Sequence, residues 1–193
     1  MNTEEIEKLI DGCLKNDRNA QHQLFNTFAP IMLGVCSRYA TTKEEAEDVM
    51  IEGFVTVFKD LSSFRHDSSL QSWIRGIMVK TAINIFRAHK KFLLHDDIET
   101  ANESMVANTQ GEDVLTKLEA QQVLSIVRQM PEDWRLIFNL RIVEDFSFKE
   151  IAEQLGRNEN TVRVYFQRAR TWLLKKVQEQ EVGCGVNIKK FGC

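Results

Sequence analysis

A chain of 193 residues and 22.4 kDa has room for one ordinary domain or two small ones, each able to bury a core. With 43% hydrophobic and 27% charged residues, two prolines and nine glycines, it has the composition of a folded globular protein. No window approaches the ~18 apolar residues of a membrane span, and the acidic start Met1-Asn2-Thr3-Glu4-Glu5 lacks a leader pattern, so a cytoplasmic protein without membrane insertion is expected.

The four cysteines, Cys13, Cys36, Cys184 and Cys193, form no C-x-x-C pair and have no histidine pair at metal spacing. Cys13 and Cys36 fall on apolar helical positions and read as small core hydrophobes. The histidines, His22, His66, His89 and His95, are scattered. No metal and no cofactor is expected. Nor is there a P-loop, an HExxH pattern or a triad signature, so no catalytic residue is assigned and the chain is not expected to be an enzyme.

The formal net charge of -3 conceals segregation along the chain. Ser68 to His95 contains no acid and carries Arg75, Lys80, Arg87, Lys90 and Lys91; Asn160 to Gln178 contains none and carries Arg163, Arg168, Arg170, Lys175 and Lys176. Between them, Asp96 to Asp113 holds six acids and no lysine or arginine. Two basic blocks flank an acidic connector.

In chain order, Ile6, Leu9, Ile10, Cys13 and Leu14 follow the stripe of an amphipathic helix. A second helix is predicted from about Asn19 to Tyr39 on Leu24, Phe25, Phe28, Ile31, Val35 and Tyr39, with Pro30 expected to kink or interrupt it. Thr42-Lys43-Glu44-Glu45 is a capping box opening a third, whose stripe is Ala46, Val49, Phe54, Val57, Phe58 and Leu61. The fourth opens at Ser68-Ser69-Leu70-Gln71 and carries Leu70, Trp73, Ile74, Ile77, Ala82, Ile83 and Phe86. These four predict one all-α domain over residues 1–95. Residues 96–113 read as a solvated acidic linker.

The second domain is predicted over 114–178, leaving 179–193 as a tail of unassigned role. A stripe through Leu118, Val123, Leu124 and Val127 is followed by Pro131, placed where a helix can start, and then by Trp134, Ile137, Phe138 and Ile142. The sharpest local signal runs from Phe146 to Arg163 and reads as a helix-turn-helix. Ser147 and Glu150 make a capping box, Ile151, Ala152 and Leu155 an inner face, Gly156 a left-handed helix end and Asn158 the next N-cap. Val162, Phe166, Ala169 and Leu173 then face inward, leaving Asn160, Arg163, Val164, Gln167, Arg168 and Thr171 on an acid-free outer face able to enter a major groove. Arg163 and Gln167, nearer the helix start, are assigned to base edges, and Arg170 or Lys175 to phosphate. The basic stretch from Ser68 to Lys91 adds Trp73 and Phe86, which fit either base stacking in a single-strand site or plain core packing.

These blocks together resemble the sigma factors of bacterial RNA polymerase, in their short, two-domain extracytoplasmic-function subgroup, over about Gln23 to Lys176. Ala46-Glu47-Asp48-Val49-Met50-Ile51-Glu52-Gly53-Phe54 looks like the segment that docks on the clamp helices of the polymerase's largest subunit. Leu70 to Ile77 and Ala82-Ile83-Asn84 look like the segments that melt and recognise the upstream-ten element. Met130-Pro131-Glu132, Glu150-Ile151-Ala152, Leu155-Gly156, Thr161-Val162 and Arg168-Ala169-Arg170 resemble the module that reads the upstream-thirty-five element.

The resemblance implies core RNA polymerase and promoter DNA, duplex and melted, as partners, and it admits an anti-sigma factor. It implies DNA contacts from Trp73, Arg75, Lys80, Asn84, Arg87, Asn160, Thr161, Arg163, Val164, Gln167, Arg168, Arg170 and Lys175, and polymerase contacts from Glu45, Asp48 and Glu52. It also implies that the acidic connector mimics nucleic acid in a basic channel of the polymerase. The chain departs from the family pattern at Ile51, Lys80, Val164 and Tyr165, where Gln, Asn, Ser and Arg are usual, so the promoter sequence does not carry over. The rival reading is an autonomous helix-turn-helix regulator. Against it stands the first domain, whose helix bearing Glu45, Glu47, Asp48 and Glu52 suits a basic partner.

Overall fold

A computed structural model describes residues 3–93 and 125–184, with side chains for 4–89 and 125–179. The described residues are helical and contain no strand. By contacts the chain divides into two units, Met1–Ala101 and Asn102–Cys193. The acidic linker 96–113, the stripe from Leu118 to Leu124 and Cys193 lie outside the described residues.

The first unit comprises α1 (Thr3–Leu14), α2 (Arg18–Cys36), α3 (Lys43–Asp60), a 3-10 turn (Leu61–Ser63) and α4 (Leu70–Leu93). Asp17 caps α2, its carboxylate accepting the Asn19 N–H at 2.9 Å. Thr42 and Glu45 close the expected capping box on α3: the threonine hydroxyl accepts from Glu45 N at 3.2 Å, and Glu45 Oε2 accepts from Thr42 N at 3.4 Å and Thr41 N at 2.7 Å. Ser69 caps the start of α4 by accepting from Ser72 N at 3.1 Å.

α2 packs on α1, α3 and α4, and α3 packs along α4. The core they enclose holds Leu9, Ile10, Cys13, Leu24, Phe28, Ala46, Val49, Phe54, Val57, Ile74, Ala82, Ile83 and Phe86. The α3–α4 approach is close enough that a Cβ on Gly53 would overlap the Met78 thioether.

Three expectations are corrected. Pro30 does not interrupt α2, which runs unbroken through it; its ring is exposed, so the carbonyl that loses a donor can turn to water. Ile31 is exposed while Met32 beside it is fully buried, so the buried face of α2 runs through Leu24, Phe28, Met32, Val35 and Cys36. Leu14, the last residue of α1, is also exposed.

The second unit contains a helical turn at 125–128, α5 (Glu132–Ile142), α6 (Phe148–Leu155) and α7 (Glu159–Cys184). α7 continues past residue 178, so the tail does not begin there. Pro131 is the N-cap of α5 rather than its first helical residue. The buried face of α5 is Leu136, Ile137 and Leu140 together with Arg135 and Asn139, whereas Ile142 is 56% exposed. Periodicity missed this face because two of its members are polar. Arg135 is 1% exposed and donates to the Arg128 carbonyl at 2.9 Å, tying α5 to the preceding turn. Val127, Met130 and Ala169 form a core against which Trp134, Phe138, Trp172 and Leu173 pack.

Candidate nucleic-acid and docking surfaces

The helix-turn-helix is built as its residues dictate. Ser147 accepts from Glu150 N at 3.2 Å and Glu150 accepts from Ser147 N at 2.8 Å, which fixes where α6 begins and, through the hydroxyl's hydrogen bond, lowers the Glu150 pKa. Gly156 is left-handed at φ 61°, ψ 36°, and Arg157 N donates to Ala152 O at 2.9 Å in the six-to-one bond of a Schellman motif. Asn158 caps α7 by accepting from Asn160 N at 2.8 Å.

Arg157 turns away from the outer face to pair with Asp133 at 2.7 Å and to lie over the Tyr165 ring at 5.6 Å. Tyr165 is thereby placed in the support of the turn. Phe166 fixes the angle between helices through contacts with Phe148 and Phe138, at 5.3 and 6.2 Å between ring centroids.

With Val162, Phe166 and Ala169 buried, α7 exposes Asn160, Thr161, Arg163, Val164, Gln167, Arg168, Arg170, Thr171 and Lys175. The face is acid-free, but its ends are not. Arg163 is held by Glu159 at 3.0 Å from Nε and 2.5 Å from Nη2, and its guanidinium sits 4.7 Å above the Phe148 ring. At the other end Lys176 pairs with Glu179 at 2.8 Å, with Lys175 at 4.0 Å from the same carboxylate; these contacts lower the Glu179 pKa, the Lys176 hydrogen bond foremost. Arg168 and Arg170 have no ion pair among the described residues. Beside this face lies a shallow cleft of about 580 Å³ whose lining includes Trp134, Val164 and Trp172.

In the first unit, Lys80, Asn84 and Arg87 recur at i, i+4 and i+7 and are exposed along one face of α4. Trp73, seven residues before Lys80, begins that row; it is half-buried, with its ring 5.4 Å from Phe64. Arg75 does not share the face. It stands about 200° round the helix from Trp73 and is half-buried. Phe86 is core, so of its two readings packing is the one the structure supports.

On α3, Glu45, Asp48 and Glu52 stand on one exposed side at i, i+3 and i+7. Glu45 is engaged in its own cap, and Glu47 pairs with Lys43 at 3.4 Å, which leaves Asp48 and Glu52 without an ion pair among the described residues. Beside them the sequence reading missed an apolar element: Ile51 and Val55, 54% and 63% exposed and four residues apart. The signal was available, since both interrupt an otherwise polar outer face.

Two family models match this chain: Sigma-70 region 2 over residues 24–92 and Sigma-70, region 4 over residues 120–173. Together they span well over half of the 193 residues. An ECF RNA polymerase sigma-E factor of Haemophilus influenzae is 27% identical over 178 residues, 88% of this chain and 94% of that protein. The chain belongs to the extracytoplasmic-function group of the sigma-70 family. An RNA polymerase sigma-H factor of Pseudomonas aeruginosa is 26% identical over 91% of this chain and 95% of its own length. Among solved structures, the sigma factor RpoE of Bartonella quintana, determined in complex with the anti-sigma factor NepR, superposes with a TM-score of 0.53 at 17% identity. It covers 81% of this chain and 96% of its own, a likeness of fold. In this sigma factor, the region 2 match spans the exposed sides of α3 and α4, and the region 4 match contains the helix-turn-helix.

Proposed function

We propose that this sigma factor binds core RNA polymerase and directs initiation at promoters by recognising two elements, one through each unit. The observation that carries the reading is that both sigma-70 regions occur on one chain and each presents a solvent-facing surface of fitting chemistry. On α3, Asp48 and Glu52 flank apolar Ile51, a mixed patch suited to a basic, partly apolar partner such as the clamp helices. Lys80, Asn84 and Arg87, with Trp73 at the end of their row, provide cations and an aromatic edge for a melted strand. The outer face of α7 offers Arg163 and Gln167 to base edges, and Arg168, Arg170 and Lys175 to phosphates.

The role is one of binding rather than catalysis, exercised in the cytoplasm where the polymerase works. A first domain over 1–95, a second that begins at 114 and continues through α7, and a protein inhibitor of the anti-sigma class belong to the same proposal. The test is run-off transcription from genomic fragments with purified core polymerase, with and without the chain. Discrete promoter-dependent transcripts that require the chain are expected. Site-specific footprints by the free protein, with no effect on the polymerase, would favour an autonomous regulator.

A further inference from the structure

Among the residues α7 exposes between Asn160 and Thr171, all but one carry a hydrogen-bonding group. Asn160, Thr161, Arg163, Gln167, Arg168, Arg170 and Thr171 have a donor, an acceptor or both; Val164 has neither and is 46% exposed. Nothing in the fold asks for valine there. Its side chain is not in the core, and a β-branched residue is a poorer helix former than the alanine that would fit the same space. It sits in the second turn, with Arg163 before it and Gln167 and Arg168 at i+3 and i+4, so it is surrounded by the groups placed to meet base edges. The major-groove edge of a base pair has one apolar feature, the 5-methyl of thymine, and small apolar side chains are what contact it. Val164 also lines the cleft shared with Trp134, which supplies apolar surface beside the point where such a methyl would arrive.

We infer that Val164 is a specificity-determining residue that reads the 5-methyl of one thymine in the upstream promoter element. The inference rests on the promoter-recognition reading above and adds the identity of a base to it. Arg163 and Gln167 supply polar readout, and Val164 selects the base at the position between their contacts. Removing a single methyl-sized group from such a contact weakens binding about fourfold.

The experiment uses the full chain with core polymerase on a promoter found by run-off transcription, in which each thymine of the upstream element is replaced in turn by deoxyuridine. Uracil pairs as thymine does and lacks only the methyl. One position is expected to lose promoter-complex affinity by about fourfold, while Val164→Ala loses a similar factor on the unmodified promoter and shows no further loss with uracil at that position. Val164→Ile, which keeps an apolar carbon at both γ positions, should retain the discrimination. Selective initiation that is indifferent to every replacement, or an uracil effect that persists in full in Val164→Ala, would overturn this inference alone. Absence of any promoter-dependent transcript would overturn the functional reading and this inference with it.

Discussion

Replacing Glu159 by glutamine should strengthen promoter binding while weakening the fold. Glu159 is the first residue of α7, and its carboxylate holds the Arg163 guanidinium by two contacts with side-chain exposures of 39% and 54%. A base edge can receive that guanidinium only after Glu159 releases it. An exposed i, i+4 pair is worth about 0.3–0.5 kcal/mol, and removing a carboxylate that would approach the phosphates relieves a further repulsion of about 0.5 kcal/mol at ~8 Å in water. The sum, about 0.8–1 kcal/mol, corresponds to four- to fivefold tighter binding, and the gain should shrink with salt because both contributions are screened. The isolated chain loses the same pair and a favourable charge at a helix N-terminus, about 0.3–1 kcal/mol. The assay is promoter-complex affinity of the holoenzyme at two salt concentrations, alongside thermal unfolding of the free chain. Unchanged affinity would show that Arg163 is not recruited from Glu159; a loss confined to one base position would show that Glu159 itself contacts a base, and either result refutes the reasoning.

Four further outcomes are expected. Reversing Asp48 and Glu52 to lysine should reduce capture of core polymerase at low salt while leaving the helical signal and unfolding temperature near wild type; equal pull-down of both proteins would remove the docking role. Gly156→Ala should cost about 1 kcal/mol of stability, since its backbone is left-handed and no atom lies within 4 Å of the new Cβ to complicate the reading; an unchanged denaturation midpoint would contradict it. Gly53→Ala should destabilise by up to about 2 kcal/mol, an overpacking cost of about 1–3 kcal/mol against buried Met78 less the roughly 1 kcal/mol that alanine gains over glycine in a helix, and Met78→Ala in the same chain should recover part of the loss, a coupling measurable as a double-mutant cycle. Burial pushes the Cys36 thiol up to about 12, so the unfolded chain ionises this group at lower pH than the native one. Its contribution is therefore complete below pH ~8.5 and is lost as pH rises toward 12; Cys36→Ser should flatten that alkaline decline in a pH series of denaturant midpoints.

In α7 the sequence reading placed the buried face well: Val162, Phe166 and Ala169 are buried and Leu173 partly so, and both capping boxes form between the residues named for them. The reading of α5 failed for a physical reason. Arg135 and Asn139 are polar and yet buried, so a rule that sends polar residues outward rotates the helix and brings Ile142 inward, where it is not. Electrostatics failed at the block edges. A stretch free of acids in sequence can still be neutralised from one turn away, as Glu159 and Glu179 do to Arg163 and Lys176, and a window one residue wider at each end would have found both. Glu45 illustrates a different limit: its position marks it both as a cap and as part of an acidic face, and only coordinates show its carboxylate bound to backbone at the helix start. Arg75 was grouped with its neighbours by charge, although helical geometry already sets it on another side.

The division of α7 into a buried and an exposed side has an evolutionary corollary. Because Asn160, Val164, Gln167, Arg168 and Thr171 contribute nothing to the core, mutations there are nearly invisible to folding, and on the proposed reading they fall on the surface that meets DNA. Regulons can thus be rewired by drift on one strip of a helix without passing through unstable intermediates, and a library randomised at those five positions should yield well-folded factors addressing promoters that do not cross-talk.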